Sequence, residues 1–270
     1  GEAVEAAAEG DTIRVRGGVH RGPLEIGKSV TLEGLGGAVL DGGGRGTVLT
    51  LRGPGSVLRG FTIRGTGDIL SAEDTGVLAA AANIRLEDNR FEDVLFGIHV
   101  RHAPGTVIRG NALSGKALPV QRRGDAIRVW YSDGVRLEDN VVTDGRDVVL
   151  WYSQRLSIRG NTVRGGRYGL HFMYCNDAAV EDNRLTGNSV GVYLMYSTRL
   201  AVRGNRIVGN RGPSGYGIGL KDMEQVVVED NVLADNRAGS FLEHASGRFA
   251  GNVIAANDVG VWLWPAAREN

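Results

Sequence analysis

The hexapeptide Val135-Arg-Leu-Glu-Asp-Asn140 recurs with small changes along most of this sequence. The other copies end at Asn89, Asn111, Asn161, Asn183, Asn205, Asn231 and Asn252, so that the steps between successive asparagines are 22, 29, 21, 22, 22, 26 and 21 residues. A nearly fixed period of this length is typical of a solenoid, in which each repeat buries its apolar face only by stacking on its neighbours.

Each repeat contains short runs of alternating apolar residues separated by Gly, Asn and Asp, without the 3.6-residue period of a helix. We therefore predict an all-β fold, a single-stranded right-handed parallel β-helix of about 22-residue coils with about ten or eleven turns. The predicted domain spans residues 1–270, with an N-terminal cap over residues 1–10 and with the natural chain continuing past residue 270. The repeated asparagine tolerates left-handed backbone and can bond neighbouring backbone, which predicts an internal structural ladder.

Composition excludes several classes of function. The formal net charge is zero, so no overall field attracts nucleic acid or an anionic membrane. The single cysteine, Cys175, excludes an internal disulfide. No apolar run reaches the length of a membrane span. No signal peptide is visible and the chain begins at Gly1, which is compatible with removal of a leader and with secretion.

Two coils are longer than the others. The extra residues lie between Asn111 and Asn140, over 113–124, and between Asn205 and Asn231, over 209–215. Insertions in a solenoid form loops on one edge, which is often the binding edge.

One strand has an unusual outer face. In the stretch Tyr168-Gly-Leu-His-Phe-Met-Tyr-Cys175 the apolar residues alternate with His171 and Met173, which face outwards if the others face the core. In the next repeat, Gly191-Val-Tyr-Leu-Met-Tyr-Ser197 places Met195 beside Met173. An imidazole and two thioethers on a face normally given to solvent indicate a ligand or contact surface.

Stacking the repeats predicts columns of side chains about 4.8 Å apart. All three methionines, the cysteine, two of four tryptophans and five of seven tyrosines then fall in one strip. The columns are His99, Arg128, Val149, His171, Tyr193, Gly219; Arg101, Trp130, Trp151, Met173, Met195, Lys221; His102, Tyr131, Tyr152, Tyr174, Tyr196, Asp222; and Ala103, Ser132, Ser153, Cys175, Ser197, Met223, His244. Such a strip either stabilises the wall by stacking or marks a ligand or contact surface.

The donor atoms in this strip favour a soft metal. His171, Met173, Met195 and Cys175 offer an imidazole, two thioethers and a thiol, which suit Cu(I) far better than Mg²⁺ or Ca²⁺. Structural zinc prefers paired Cys and His spacings, and neither CxxC nor HExxH occurs. Further candidate copper ligands are His99, His102, Met223 and His244.

Two other interpretations remain open. Parallel β-helices frequently cleave or epimerise acidic polysaccharides, and Asp125 and Asp147 occupy nearly corresponding positions in successive coils, as a catalytic pair would. In that case Trp130, Trp151 and the tyrosines would form a carbohydrate-binding surface. Alternatively, the strip docks partner proteins and binds no ligand.

The motifs also resemble a known family. The sequence is similar to NosD, the β-helical proteins of nitrous oxide reductase maturation, in Leu95-Phe-Gly-Ile-His99, Gly145-Arg-Asp-Val-Val-Leu150, His171-Phe-Met-Tyr-Cys-Asn-Asp177 and Gly191-Val-Tyr-Leu-Met-Tyr-Ser197. The resemblance extends over most of the length, and the element at His171 is its most specific part.

The resemblance implies a non-enzymatic role in copper delivery to nitrous oxide reductase, in the periplasm or otherwise outside the cytoplasm. It implies a membrane ABC transporter, a lipoprotein copper chaperone and the reductase as partners, with no nucleic acid and no membrane span in this chain. By position, it implies His171, Met173 and Met195 as copper ligands.

Overall fold

The computed structural model describes residues 2–264. Its regular secondary structure is almost entirely short strands, which are joined by turns. The pairs between neighbouring turns are parallel, and each turn contributes one strand to each of three faces. The predicted all-β parallel β-helix is therefore confirmed. The second face contains eleven strands, in agreement with the predicted ten or eleven turns. Gly1 and residues 265–270 of the predicted domain, and any continuation, lie outside the described residues.

The three faces follow one another around each turn. The first face consists of Thr12–Val15, Thr31–Gly34, Val57–Arg59, Arg85–Glu87, Val107–Arg109, Arg136–Glu138, Ser157–Arg159, Ala179–Glu181 and Ala201–Arg203. The second consists of Gly18–Arg21, Ala38–Asp41, Thr62–Arg64, Arg90–Val94, Ala112–Gly115, Val141–Thr143, Thr162–Arg164, Arg184–Thr186, Arg206–Val208, Val232–Ala234 and Val253–Ala255.

The third face contains the predicted columns of His171 and Met173. It consists of Leu24–Ile26, Leu49–Leu51, Thr75–Ala79, Phe96–Arg101, Ile127–Trp130, Asp147–Trp151, Tyr168–Met173, Val190–Thr198 and Val259–Trp264. Two long strands, Tyr216–Glu229 and Ala238–Ala250, continue from the third face into the first. The helical segments between residues 2 and 264 are an α-helix, Glu2–Ala6, and two 3₁₀ turns, Leu70–Ala72 and Val120–Arg122.

The core is a set of columns of apolar side chains. A central residue of each first-face strand points inwards. The residues that pair with it in the preceding and following turns are also Leu, Ile or Val. One such column, almost fully buried, is Leu86, Ile108, Leu137, Ile158, Val180, Val202 and Val228. Each such side chain contributes roughly 1.5–3 kcal/mol by leaving water. At the N-terminus Val4, in the helix Glu2–Ala6, also packs against this core.

The repeated asparagines form the predicted ladder. Asn161 donates from its backbone N and from Nδ2 to Oδ1 of Asn183, at 2.9 and 3.0 Å, and also from Nδ2 to the carbonyl of Leu137 at 2.9 Å. Its own Oδ1 accepts from the backbone N and Nδ2 of Asn140. The ladder thus satisfies buried backbone groups at a turn where no strand partner is available.

The structure reveals a second ladder. It also consists of asparagines from successive turns, and the side-chain Oδ1 of each one after the first accepts a hydrogen bond from the backbone N–H of the ladder asparagine in the preceding turn, as in the first ladder. Its members are Asn188, Asn210, Asn236 and Asn257. Each lies five residues after a member of the first ladder.

We expect Asn161→Ala to lower the free energy of unfolding by about 3 kcal/mol, because it removes buried hydrogen bonds and leaves the Asn140 amide unpaired. Urea denaturation measures this loss. Asn252→Ala is the matched control, since Asn252 is only partly buried and its side chain makes fewer ladder bonds. Equal losses in the two variants would contradict a cooperative internal ladder.

Candidate metal-binding site

The strand register brings the predicted thioethers together. Met173 pairs with Trp151 on one side and with Met195 on the other, in the parallel register that the columns predict. The strands of a sheet lie about 4.8 Å apart, so Met173 and Met195 are nearest neighbours on the third face. Both side chains are half-buried. We refer to them as the thioether pair.

His171 is on the same face but is covered by aromatic rings. Its ring centre lies 4.8 Å from that of Tyr168, 5.5 Å from that of Trp151 and 6.2 Å from that of Tyr193. The imidazole is only 6% exposed. Burial, assisted by the positive charge of Arg167, lowers the pKa of His171 to about 4. The ring is therefore neutral at pH 7. We call these three aromatic residues the aromatic box.

The box contains polar atoms without partners. Both ring nitrogens of His171 and Nε1 of Trp151 are buried and have no hydrogen-bond partner among residues 2–264. Buried polar groups are almost always paired, so each exception requires an explanation. In a neutral imidazole one ring nitrogen carries a lone pair. No donor among residues 2–264 hydrogen-bonds to that lone pair in His171, so it is free to bind a ligand.

The donors near His171 define the type of metal that the surface can accept. Among residues 2–264, no three His, Cys, Asp or Glu side chains converge into a metal-binding group. A metal bound here would depend on the imidazole and on the thioether pair. Thioether and imidazole donors suit Cu(I), whereas Mg²⁺ and Ca²⁺ require oxygen ligands.

The structure places Cys175 and Met223 on the inner side of the wall. Both are fully buried in the core, and Sγ of Cys175 donates to the carbonyl of Leu150 at 3.1 Å. Burial raises the pKa of the Cys175 thiol to about 11. The preceding residues, Tyr174 and Asp222, have φ of 56° and 50°, and this left-handed conformation breaks the alternation of the strand. Sγ of Cys175 also lies 3.4 Å from the carbonyl of Met173, on the core side of the strand.

The three remaining candidate histidines are not brought to His171. His99 is in the same column but three levels away, which corresponds to about 14 Å. It is buried, with Nε2 unpaired and Nδ1 3.8 Å from Glu73. His102 stacks on a tyrosine at the surface. The predicted column of His244 is wrong by one residue, because Met223 pairs with Ala245 and His244 lies 3.2 Å from Asp222, in the column of Tyr174.

Four tyrosines, two of them exposed and two half-buried, form a ladder of stacked rings. The rings of Tyr131, Tyr152, Tyr174 and Tyr196 are 4.9, 5.1 and 5.1 Å apart, with interplanar angles of 8°, 13° and 17°. His102 stacks on Tyr131 at 5.5 Å. Because each ring covers the face of the next, the ladder presents ring edges and hydroxyl groups. A sugar ring stacks on an open aromatic face, so the ladder does not provide the continuous sugar platform that the carbohydrate interpretation requires.

The two candidate catalytic acids are engaged in ion pairs. The side chains of Asp125 and Asp147 are each 1% exposed. Asp125 accepts from Nε of Arg128 at 2.9 Å and from Nε of Arg146 at 3.1 Å, and Asp147 accepts from Nε of Arg167 at 3.1 Å. Guanidinium groups therefore occupy the carboxylates that general acid–base catalysis would use.

Among residues 2–264, no helix has both the length and the apolar character needed to cross a bilayer. Together, the fold and the strip define a parallel β-helix protein with soft-metal donors on one outer face.

The family described as "Periplasmic copper-binding protein (NosD)" matches residues 109–270, and the chain belongs to this family. The matched region contains the strip from Arg128 onwards, including His171 and the thioether pair. The predicted resemblance to NosD is thus confirmed.

Two curated relatives carry the name "Probable ABC transporter binding protein NosD". The protein from Stutzerimonas stutzeri is 30% identical over 137 residues, and that from Pseudomonas aeruginosa is 29% identical over 133 residues. These regions make up 50% and 48% of this chain and 31% of each relative. The chain is thus aligned with about a third of the length of either protein.

Solved structures show the same fold. The A-module of the Azotobacter vinelandii mannuronan C-5 epimerase AlgE4 superposes with a TM-score of 0.66 and 15% identity, covering 98% of this chain and 92% of that one. A PL6 alginate lyase in complex with a trisaccharide gives 0.69 and 15%, covering 87% and 56%. At this identity the likeness establishes the β-helix architecture alone.

Proposed function

We propose that this chain is a non-enzymatic accessory protein that binds Cu(I) as cargo on its third face, through His171 and the thioether pair. The unpaired imidazole of His171 carries the proposal, because a buried neutral ring with both nitrogens unsatisfied is costly unless a ligand uses it. Membership of a family described as periplasmic and copper-binding supports the same assignment.

Each group has a separate role in this proposal. Met173 and Met195 supply two soft donors from adjacent strands, and His171 supplies a nitrogen that is not protonated at neutral pH. Trp151 and Tyr168 exclude water from the imidazole. Because no thiolate takes part, the ion is held without a cage of strong donors. We infer that this arrangement favours passing copper onwards over storing it.

The proposed partners follow from the family. Its curated relatives are named as ABC transporter binding proteins. We infer that the whole protein works outside the cytoplasm with a membrane ABC transporter and a lipoprotein copper chaperone, and that nitrous oxide reductase receives the copper. The tyrosine ladder, which presents ring edges and hydroxyls over several turns, is a suitable docking surface for one of these proteins.

An anaerobic titration with Cu(I) against a competing chelator tests the proposal. We expect one equivalent to bind to the purified chain and to quench tryptophan fluorescence, since Trp151 borders both His171 and Met173. Ag(I), which also prefers sulfur donors, should compete, whereas Ca²⁺ should not. Absence of any stoichiometric Cu(I) binding would overturn the copper proposal and leave the strip as a docking surface.

A further inference from the structure

The two long coils meet at one cleft. Val120 and Gln121 from the first insertion face Pro213 and Ser214 from the second across a cavity of about 400 Å³. The remaining lining residues come from the turns between them and are Arg146, Arg167, Tyr168, Ser189 and Val190. We call this the interloop cleft. Its volume is within the range of small-molecule sites.

Arginine side chains hold both walls of the cleft. Arg123 donates from Nε to the carbonyl of Leu118 at 2.6 Å and from Nη1 to that of Gly165 at 3.1 Å, which fastens the first loop to the solenoid. Arg237 donates to the carbonyl of Pro213 in the second loop. The cleft is therefore built into the fold and does not depend on two free loops approaching each other.

Two stacked arginines line the cleft. The backbone N of Arg167 donates to the carbonyl of Arg146 at 2.7 Å, so the two residues lie on successive turns. Each guanidinium is paired through Nε and Nη2 with a carboxylate whose side chain is 1% exposed, Asp125 for Arg146 and Asp147 for Arg167. The arginine side chains are 25% and 46% exposed. The carboxylates thus lie beneath, while guanidinium N–H groups remain available at the surface.

The charge around the cleft fits a monoanion. Asp125, Asp147 and Glu73 are balanced by Arg128, Arg146 and Arg167. Nε of Arg146 lies 3.8 Å from Asp147 and joins these ion pairs into one network. A neutral network with outward N–H groups suits a singly charged carboxylate, which guanidinium forks bind in a planar, bidentate manner. A phosphate dianion would need excess positive charge. The hydroxyls of Ser189 and Ser214 and the amide of Gln121 add neutral hydrogen-bonding groups.

We propose that the interloop cleft binds a small hydroxylated carboxylate, with the carboxylate on Arg146 and Arg167 and the hydroxyl groups toward the loop side chains. This site is distinct from the proposed copper site, although Tyr168 borders both. The guanidinium carbon of Arg167 lies 4.7 Å from the Tyr168 ring centre, and the His171 ring centre lies 4.8 Å from it.

Ligand-observed NMR on the copper-free chain tests this site, with glucuronate as the probe and glucose and inorganic phosphate as comparisons. We expect saturable binding of glucuronate, and binding at least about tenfold weaker for glucose, since glucose lacks the carboxylate that accepts charge-assisted hydrogen bonds from the two arginines. Ser214→Trp fills the cleft without touching an ion pair and should abolish binding. Arg167→Lys keeps the charge, removes the fork and should weaken binding about tenfold.

Arg199→Lys is the matched control, because Arg199 makes a bidentate pair with Asp177 at the surface and does not line the cleft. It should bind glucuronate as the unaltered chain does. If Arg167→Lys fails to fold, Ser214→Trp decides the question. No saturable binding, equal binding of glucose, tighter binding of phosphate, or full binding by Ser214→Trp would each overturn the proposal. Because no copper is present, none of these outcomes bears on the proposed function.

Discussion

We expect the double variant Met173→Leu/Met195→Leu to bind Cu(I) at least about 100-fold more weakly than the unaltered chain, a loss of about 2.7 kcal/mol. The two thioethers are adjacent on the third face and are the soft donors beside His171. Leucine has a similar volume and no lone pair, so folding should change by less than about 1.5 kcal/mol per site. Competition titration under anaerobic conditions measures the affinity, and thermal denaturation checks the fold.

The third methionine provides a matched control. Met223 is fully buried in the core, so Met223→Leu makes the same chemical change on the inner side of the wall, away from the outer face that carries the thioether pair. Its Cu(I) affinity should equal that of the unaltered chain. A loss of binding in this variant, or retention of full binding in the double variant, would contradict a site formed by the thioether pair.

Cys175→Ser separates the thiol from the thioethers. Cys175 lies in an inner column with Ser132, Ser153 and Ser197, whose hydroxyls accept backbone N–H groups from the adjacent turn. Serine should fit this column and leave Cu(I) binding unchanged. If Cys175→Ser alone removed copper, the buried thiol would have to be the ligand, and the outer site would be rejected.

The register of the strip could be predicted because the repeats themselves encode it. Aligning the Asn turns and the Tyr-[Ser/Cys] strand ends places Met173 between Trp151 and Met195, and the structure has these pairs. Strand side chains alternate with a period of two, so a slip of one residue would expose the core columns, and this fixes the pairing.

The prediction that side chains alternate strictly between the inside and the outside of the wall is nevertheless wrong at the strand ends. It places Cys175 on the same side as Met173, but the left-handed Tyr174 turns Cys175 into the core. The column itself contained the signal, since Ala103 and the three serines aligned with Cys175 are small residues typical of a tight inner position. The second asparagine ladder was also missed, although its members follow those of the first by a constant five residues.

Other features depend on contacts that no local pattern encodes. Both insertions could be predicted as edge loops, but their meeting over Arg146 and Arg167 depends on how the intervening turns stack. The aromatic box likewise depends on the stacking of turns. Trp151, Tyr168 and Tyr193 belong to three successive turns and surround His171 only after folding.

The second large effect that we expect is a loss of folding stability in acid, and it arises from two buried histidines. His99 is 4% exposed, and burial, reinforced by Arg128, lowers its pKa to about 4, although Glu73 partly opposes the shift. Arg101 also lowers the pKa of His99, and Asp125 raises it. Folding therefore holds this imidazole in its neutral form at neutral pH.

His171 behaves in the same way within the aromatic box. Its burial and the charge of Arg167 lower its pKa to about 4, and Asp125 opposes the shift. In the unfolded chain both histidines titrate near 6.5. Between about pH 4 and 6.5 the unfolded chain thus binds more protons than the folded chain, so the folded state loses stability as the pH falls through this window.

We expect the free energy of unfolding to be nearly constant above about pH 7 and to fall by roughly 2–3 kcal/mol per histidine between pH 6.5 and 4. Carboxylates with lowered pKa values, such as those of Asp41 and Asp177, titrate below this window. Urea denaturation at a series of pH values, without copper, measures the slope. The double variant His99→Leu/His171→Leu should be nearly flat between pH 7 and 5, and a slope equal to that of the unaltered chain would show that other groups cause the acid sensitivity.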